Sequence, residues 1–219
     1  MKMRQTLCWI PALLLAPCAF GLEHLEPETS QFEGPGRHDY DAALIATFKD
    51  AYSKDSVLRA IVSPSFFSDS AIALKKRRSN YILHGLTSKK SVWYSAHEDE
   101  EGTKFEPVDI TECEQSIDTS LGQQLTKVWE TMLLATRYQR KDFIGLDGVT
   151  YHFSMSASWG RLAGKAWSPE PDTLPGKLVE VTDAMVVYCK SGETDALKKL
   201  RVLASQLFKH LSEQDHATD

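Results

Sequence analysis

The segment Gly145–Pro169 constrains this chain more than any other, because it must turn, run as a strand, turn and run back within a short length. Leu146-Asp147-Gly148-Val149 is a turn signal, since glycine accepts the positive φ that such turns often need. From Val149 to Met155 the residues alternate. Val149, Tyr151, Phe153 and Met155 fall on one face, and Thr150, His152 and Ser154 fall on the other. The chain returns from Trp159 to Trp167, with Gly160 and Gly164 permitting a bulge or the close approach of another backbone. The result is a hairpin with an aromatic face and a polar face, set between strong helical patterns.

Upstream, Val57–Val62 is a β-branched run stopped by Pro64, which cannot donate within a ladder. Ala71–Leu74, Tyr81–Leu86 and Ser91–Ser95 follow, divided by short polar turns such as Lys75–Asn80. This spacing predicts an antiparallel meander, with Phe105–Ile110 as a further edge strand and the basic cluster Lys75–Arg78 as a solvated hairpin tip. A short helix is expected through Ala42, Leu44, Ile45 and Phe48. The clearest helix follows Asp118-Thr119-Ser120, where Ser120-Leu121-Gly122-Gln123 has the capping-box form. Leu121, Leu125, Val128, Trp129, Met132 and Leu133 then recur at helical spacing. Thr173-Leu174-Pro175-Gly176 opens another helix, Ser191-Gly192 closes it, and a last helix carries Leu197, Leu200, Leu203 and Leu207. These patterns predict an α+β fold: an antiparallel meander and sheet packed by a central amphipathic helix and a C-terminal helix pair.

Lys2 and Arg4 precede an apolar run from Leu7 to Phe20, and Ala19-Phe20-Gly21 has the small-x-small form that signal peptidase accepts. Residues 1–21 are therefore expected to be a signal peptide, 22–40 a flexible arm, 41–213 a single domain and 214–219 a disordered tail. Leu15-Ala16-Pro17-Cys18 approaches a lipoprotein box, but Pro17 before the cysteine argues against lipid anchoring at Cys18. No other run has the roughly 18 apolar residues of a membrane span. The chain carries 25 Lys+Arg against 30 Asp+Glu. That mild acidity argues against nucleic acid as a partner. Removal of a signal peptide takes Cys8 and Cys18 with it, leaving Cys113 and Cys189. In an oxidising compartment that single pair is expected to form a disulfide, worth roughly 4 kcal/mol through the denatured state, the alternative being two buried thiols.

His97-Glu98-Asp99-Glu100-Glu101-Gly102 invites a metal reading. Consecutive carboxylates on a loop diverge, however, and no ligand spacing of a known metal motif occurs, so neither metal nor cofactor is expected. Three functions remain. Acyl transfer would use His152 as base, Ser154 as nucleophile and Asp147 as orienting carboxylate, although no Gly-x-Ser-x-Gly elbow is present. Glycan chemistry would use Trp159 and Trp167 as platforms with Asp147 and Glu170. Protein binding would use Arg137, Tyr138, Tyr151, His152, Trp159, Arg161 and Trp167, the side-chain types that anchor interfaces. The last is the leading expectation: an exported, non-enzymatic binding protein with a protein partner in the cell envelope, of inhibitor, immunity or envelope-associated type. A small periplasmic hydrolase is the alternative.

Gly145-Leu146-Asp147-Gly148, Tyr151-His152-Phe153, Gly160 with Ala163-Gly164, and Trp167-Ser168-Pro169 together form a block similar to one in a set of small exported bacterial proteins. Pro64-Ser65-Phe66, Trp129, Met132-Leu133 and Thr136-Arg137-Tyr138 extend the likeness. That set has no assigned activity. The resemblance implies a bacterial periplasmic setting and transfers no catalytic residue.

Overall fold

The computed structural model describes residues 24–28, 38–99, 102–138, 147–157 and 160–217. The expected signal peptide, Gly145, Leu146 and Trp159 lie outside them. The strands are β1 (Glu26–Pro27), β2 (Ser56–Pro64), β3 (Ser70–Arg77), β4 (Asn80–Ser88), β5 (Ala96–Asp99), β6 (Gly102–Phe105), β7 (Ile110–Ile117), β8 (Val149–Ala157) and β9 (Gly160–Trp167). The helices are α1 (His38–Thr47), α2 (Thr119–Leu134), α3 (Leu174–Ser191) and α4 (Thr194–Ala217). Seven strands form one sheet in the order β1-β9-β8-β2-β3-β4-β7, and β5 pairs with β6 in a separate ribbon. Every pairing is antiparallel. The fold is α+β, with the meander, the 149–167 hairpin and the C-terminal helix pair all present.

Strand alternation divides the core in two. Leu58, Ala60, Ile72, Leu74, Leu83 and Phe153 point to one face, where α2 and α3 cover them and α4 packs on both helices. Each of the Leu, Ile and Phe side chains contributes roughly 1.5–3 kcal/mol by leaving water. Trp129 of α2 lies at the centre, fully buried, edge-on to Phe153 and donating its indole N–H to the Arg59 carbonyl. Ile61, Ala71, Ala73 and Leu86 point to the opposite face, where they meet Leu44 and Phe48 of the α1 region. Cys113 on edge strand β7 and Cys189 on α3 are joined by a disulfide with a Cα separation of 5.7 Å, fastening the helix layer to the sheet. Gly85 makes room for it, since a Cβ there would lie 2.7 Å from the Cys113 sulfur.

Several expectations change. Ser91–Ser95 is not a strand. The Asp69 carboxylate takes the Val92 N–H at 2.7 Å, and Trp93–Ser95 winds into a short 3₁₀ turn with Trp93 and Tyr94 exposed. Phe105–Ile110 is no edge strand either: Phe105 ends β6, Ile110 begins β7, and Pro107 lies in the connection between them. The edge strand is β7, whose polar Thr-Glu-Cys-Glu-Gln run hides its period. His97, Glu98 and Asp99 of the acidic run lie on a ribbon strand rather than in a loop, with His97 opposite Lys104. Asp118, not Ser120, caps α2 by accepting the Leu121 N–H at 3.1 Å. Within the segment expected to be a flexible arm, Leu25 is fully buried and Glu26–Pro27 pairs with β9. Asp39 and Asp41, expected to cap the first helix, lie inside α1, whereas α3 opens and closes where expected: Thr173 accepts from Gly176, and Gly192 ends it with φ 66°.

Candidate functional site

β8 places His152 and Ser154 on the sheet face away from α2–α4, beside Arg59 and Ile61 of β2 and Lys165 and Ala163 of β9. The Nδ1 atom of His152 lies 2.5 Å from the Glu28 Oε2, and that carboxylate side chain is only 6% exposed. The pair exists because Leu25 anchors the N-terminal segment and β1 lies along β9, its backbone fixed further by the Arg137 N–H donating to the Leu25 carbonyl. Ser154 is engaged elsewhere. Its hydroxyl accepts from Arg59 Nε at 2.8 Å, while Arg59 Nη1 donates to the Ala51 carbonyl. The Arg59 guanidinium also stacks over the Tyr52 ring at 4.3 Å, and Arg161 approaches the same ring at 5.7 Å. Burial, and then the second guanidinium of Arg161, pull Arg59 down to about 10. Tyr52 is raised by burial, with the two arginines opposing.

A cavity of about 40 Å³ lies among Glu28, Asp41, Tyr52, His152 and Ser154. It has room for roughly two or three waters, and no sugar or peptide fits it as it stands. The Asp41 Oδ2 is buried in this region and has no hydrogen-bond partner. Asp147 is exposed in the turn before β8. The structure therefore gives His152 a carboxylate partner, but the partner is Glu28, and the serine near it is held by an arginine. Sequence reasoning missed Glu28 and Arg59. Glu28 lies 124 positions from its histidine, and Arg59 reads as one polar residue in a strand.

Among the described residues, those expected to bind a partner do not form one patch. Tyr151 points to the helix face and stacks on Phe153. Arg161 and Trp167 fall on the His152 side, Trp167 half-buried against Gly148. Arg137 and Tyr138 are exposed after α2, Tyr138 at 74%. Glu170 is exposed in the loop before α3.

A different cluster is presented where β2 hands over to β3 and β4 ends. The β3 start pairs with the β4 end through Ser70 and Thr87, so both loops leave the same end of the sheet. Phe66 and Phe67 stand on the first loop, exposed at 59% and 74%; Trp93 and Tyr94 stand on the second, at 56% and 58%. Asp69 ties the two loops together. Its carboxylate takes the Val92 N–H and the Tyr40 hydroxyl, and its carbonyl takes the Ser88 N–H and hydroxyl. Burial raises the Asp69 carboxyl, and the Val92 and Tyr40 donors only partly offset it. Burial, followed by the Asp69 charge, likewise holds the Tyr40 phenol well above its ordinary value. Tyr40 packs edge-on against Trp93 at 5.3 Å.

No protein-family model, curated protein or solved structure matches this chain. Among the described residues no helix is long and apolar enough to cross a membrane, and no three His, Cys, Asp or Glu side chains converge as a metal site.

Proposed function

We propose that this chain is an exported, non-enzymatic binding protein of the cell envelope, and that it holds a protein partner through the aromatic loop end. The carrying observation is the quartet Phe66, Phe67, Trp93 and Tyr94, exposed on two loops that a buried carboxylate ties together. Aromatic side chains anchor interfaces because they bury much area with few rotatable bonds, and loops held in place lose little further entropy on binding. The signal-like N-terminus and the Cys113–Cys189 bridge support an extracytoplasmic setting. The test is capture from periplasmic extract by the wild-type chain and by a Phe67→Ala/Trp93→Ala double variant. Phe67 is largely exposed and Trp93 loses only its edge contact with Tyr40, so the variant should stay folded with a stability loss of about 1 kcal/mol. Loss of two hot spots weakens a partner's affinity by about a hundredfold or more. A partner retained equally by the double variant sinks the reading.

The Glu28–His152 pair favours a second reading, a small hydrolase. A buried carboxylate on Nδ1 orients a histidine so that Nε2 can accept a proton, here from a water in the adjoining cavity. Hydrolysis of a nitrophenyl ester should then fall by roughly 100-fold or more in His152→Gln. Equal rates for the two proteins would end that reading.

A further inference from the structure

Between α3 and α4 lies a cleft of about 220 Å³, separate from both surfaces described above. Ala184, Val187, Ala196 and Leu203 give it apolar walls, and Glu180, Asp183 and Lys199 complete its lining. Two carboxylates thus face one ammonium. Although Asp183 reaches solvent, partial desolvation at the cleft wall pushes its carboxyl above its ordinary value, Glu180 adds to the rise, and Lys199 only partly opposes it. Asp183 also helps to hold up the Tyr151 phenol beneath it, after the effect of burial. The cleft therefore combines apolar walls with negative charge that its own lysine does not fully neutralise. Val187, which lines the cleft, is 55% exposed on α3, so an apolar side chain stands at the opening.

We propose that this cleft receives a lysine side chain from a protein partner. The alkyl stem lies along Val187 and Leu203, and the ammonium meets Asp183 and Glu180. Lysine suits the shape because its four methylenes pack on apolar surface while its head requires charged or polar acceptors. A protein, rather than a free amine, is the occupant that also covers the exposed Val187 at the opening. The inference rests on the binding reading for the existence of a partner, and on the cleft itself for the chemistry.

The experiment titrates the full disulfide-bonded chain with three probes, following methyl NMR signals of Val187, Ala196 and Leu203. The probes are acetyl-Ala-Lys-Ala-amide, the same peptide with norleucine for lysine, and n-pentylamine. The lysine peptide should give saturable shifts, bind about tenfold tighter than the norleucine peptide, and lose about tenfold in Asp183→Asn, as expected for one charge-assisted hydrogen bond. Phe67→Ala/Trp93→Ala should leave this titration unchanged, so failure of the loop surface and failure of the cleft are separately visible. Absence of saturable shifts, or equal binding of the norleucine peptide, overturns the proposal. Binding of n-pentylamine without binding of the lysine peptide also overturns it, making a free amine the ligand.

Discussion

On one side of the sheet, three long helices close over Leu58, Ile72, Leu83 and Phe153; on the other, one short helix, two 3₁₀ turns and a two-stranded ribbon meet Ile61, Ala73 and Leu86. The polar groups follow the same division. The buried Arg59, Lys75 and His84 all point to the thinly covered side, as do His152 and Ser154. His84 there gives Nε2 to Glu112 at 3.0 Å and leaves Nδ1 buried without a partner. An unpaired buried polar atom costs about 1–3 kcal/mol, a cost the helix-covered side largely avoids. Apolar packing is concentrated on one side of a single sheet and the chemically equipped groups on the other.

The largest expected effect breaks or upholds that contrast directly. Trp129→Ala removes the centre of the helix-side core together with its hydrogen bond to Arg59, and should cost roughly 4 kcal/mol in urea unfolding. Leu44→Ala, equally buried but under the thin layer, should cost roughly 2 kcal/mol, at the low end for such truncations, because a short helix can settle into the space. Equal losses would mean that both layers carry the fold alike. Gly85→Ala comes next. The new methyl meets the Cys113 and Cys189 sulfurs, so it should destabilise by about 2 kcal/mol. Most of that should vanish in a Cys113→Ala/Cys189→Ala background, and a cost that stays undiminished there would show that the clash lies with Ile72 instead.

How much of this was legible depends on where each residue's partners lie. Helices α2, α3 and α4 announce themselves because a 3.6 period with caps is written within one segment. The alternation of β8 is equally local, and it placed Tyr151 and His152 on opposite faces, as found. Strand β7 escaped because Glu112, Glu114 and Ser116 face outward and Cys113 and Gln115 give the inner face little apolar contrast. Trp93 and Tyr94 have strand-like propensity, yet a hydrogen bond from Val92 to a carboxylate 23 residues away bends them into a turn. Half of the candidate site was readable: His152 stood out, whereas Glu28 lay in a polar segment with no period of its own. What local sequence could not show is which distant carboxylate would complete a histidine or fasten a loop.

The smallest effect sharpens the contrast through pH. Asp118 caps α2 and pairs with Arg201 of α4; burial works against its charge, but the Leu121 N–H and Arg201 outweigh it and hold the carboxyl below the ordinary 3.8. Its stabilisation is present above pH 3.8 and is lost as pH falls through the lower folded value. Asp69, on the thin side, is raised above 3.8 by burial, so its sign is reversed: its ionised form is penalised at neutral pH, and stability is recovered as pH falls from the folded value toward 3.8. The two windows lie on opposite sides of 3.8. Asn keeps a cap acceptor at 118 and an acceptor for Val92 at 69 while removing each titration. Urea unfolding at stepped pH should therefore show Asp118→Asn flattening the acid-side loss of stability below pH 3.8, and Asp69→Asn removing a gain above it. Tilts of the same sign would show that the buried carboxylate on the thin side is stabilised as an ion, and that this face is no more costly to charge than the helix-covered one.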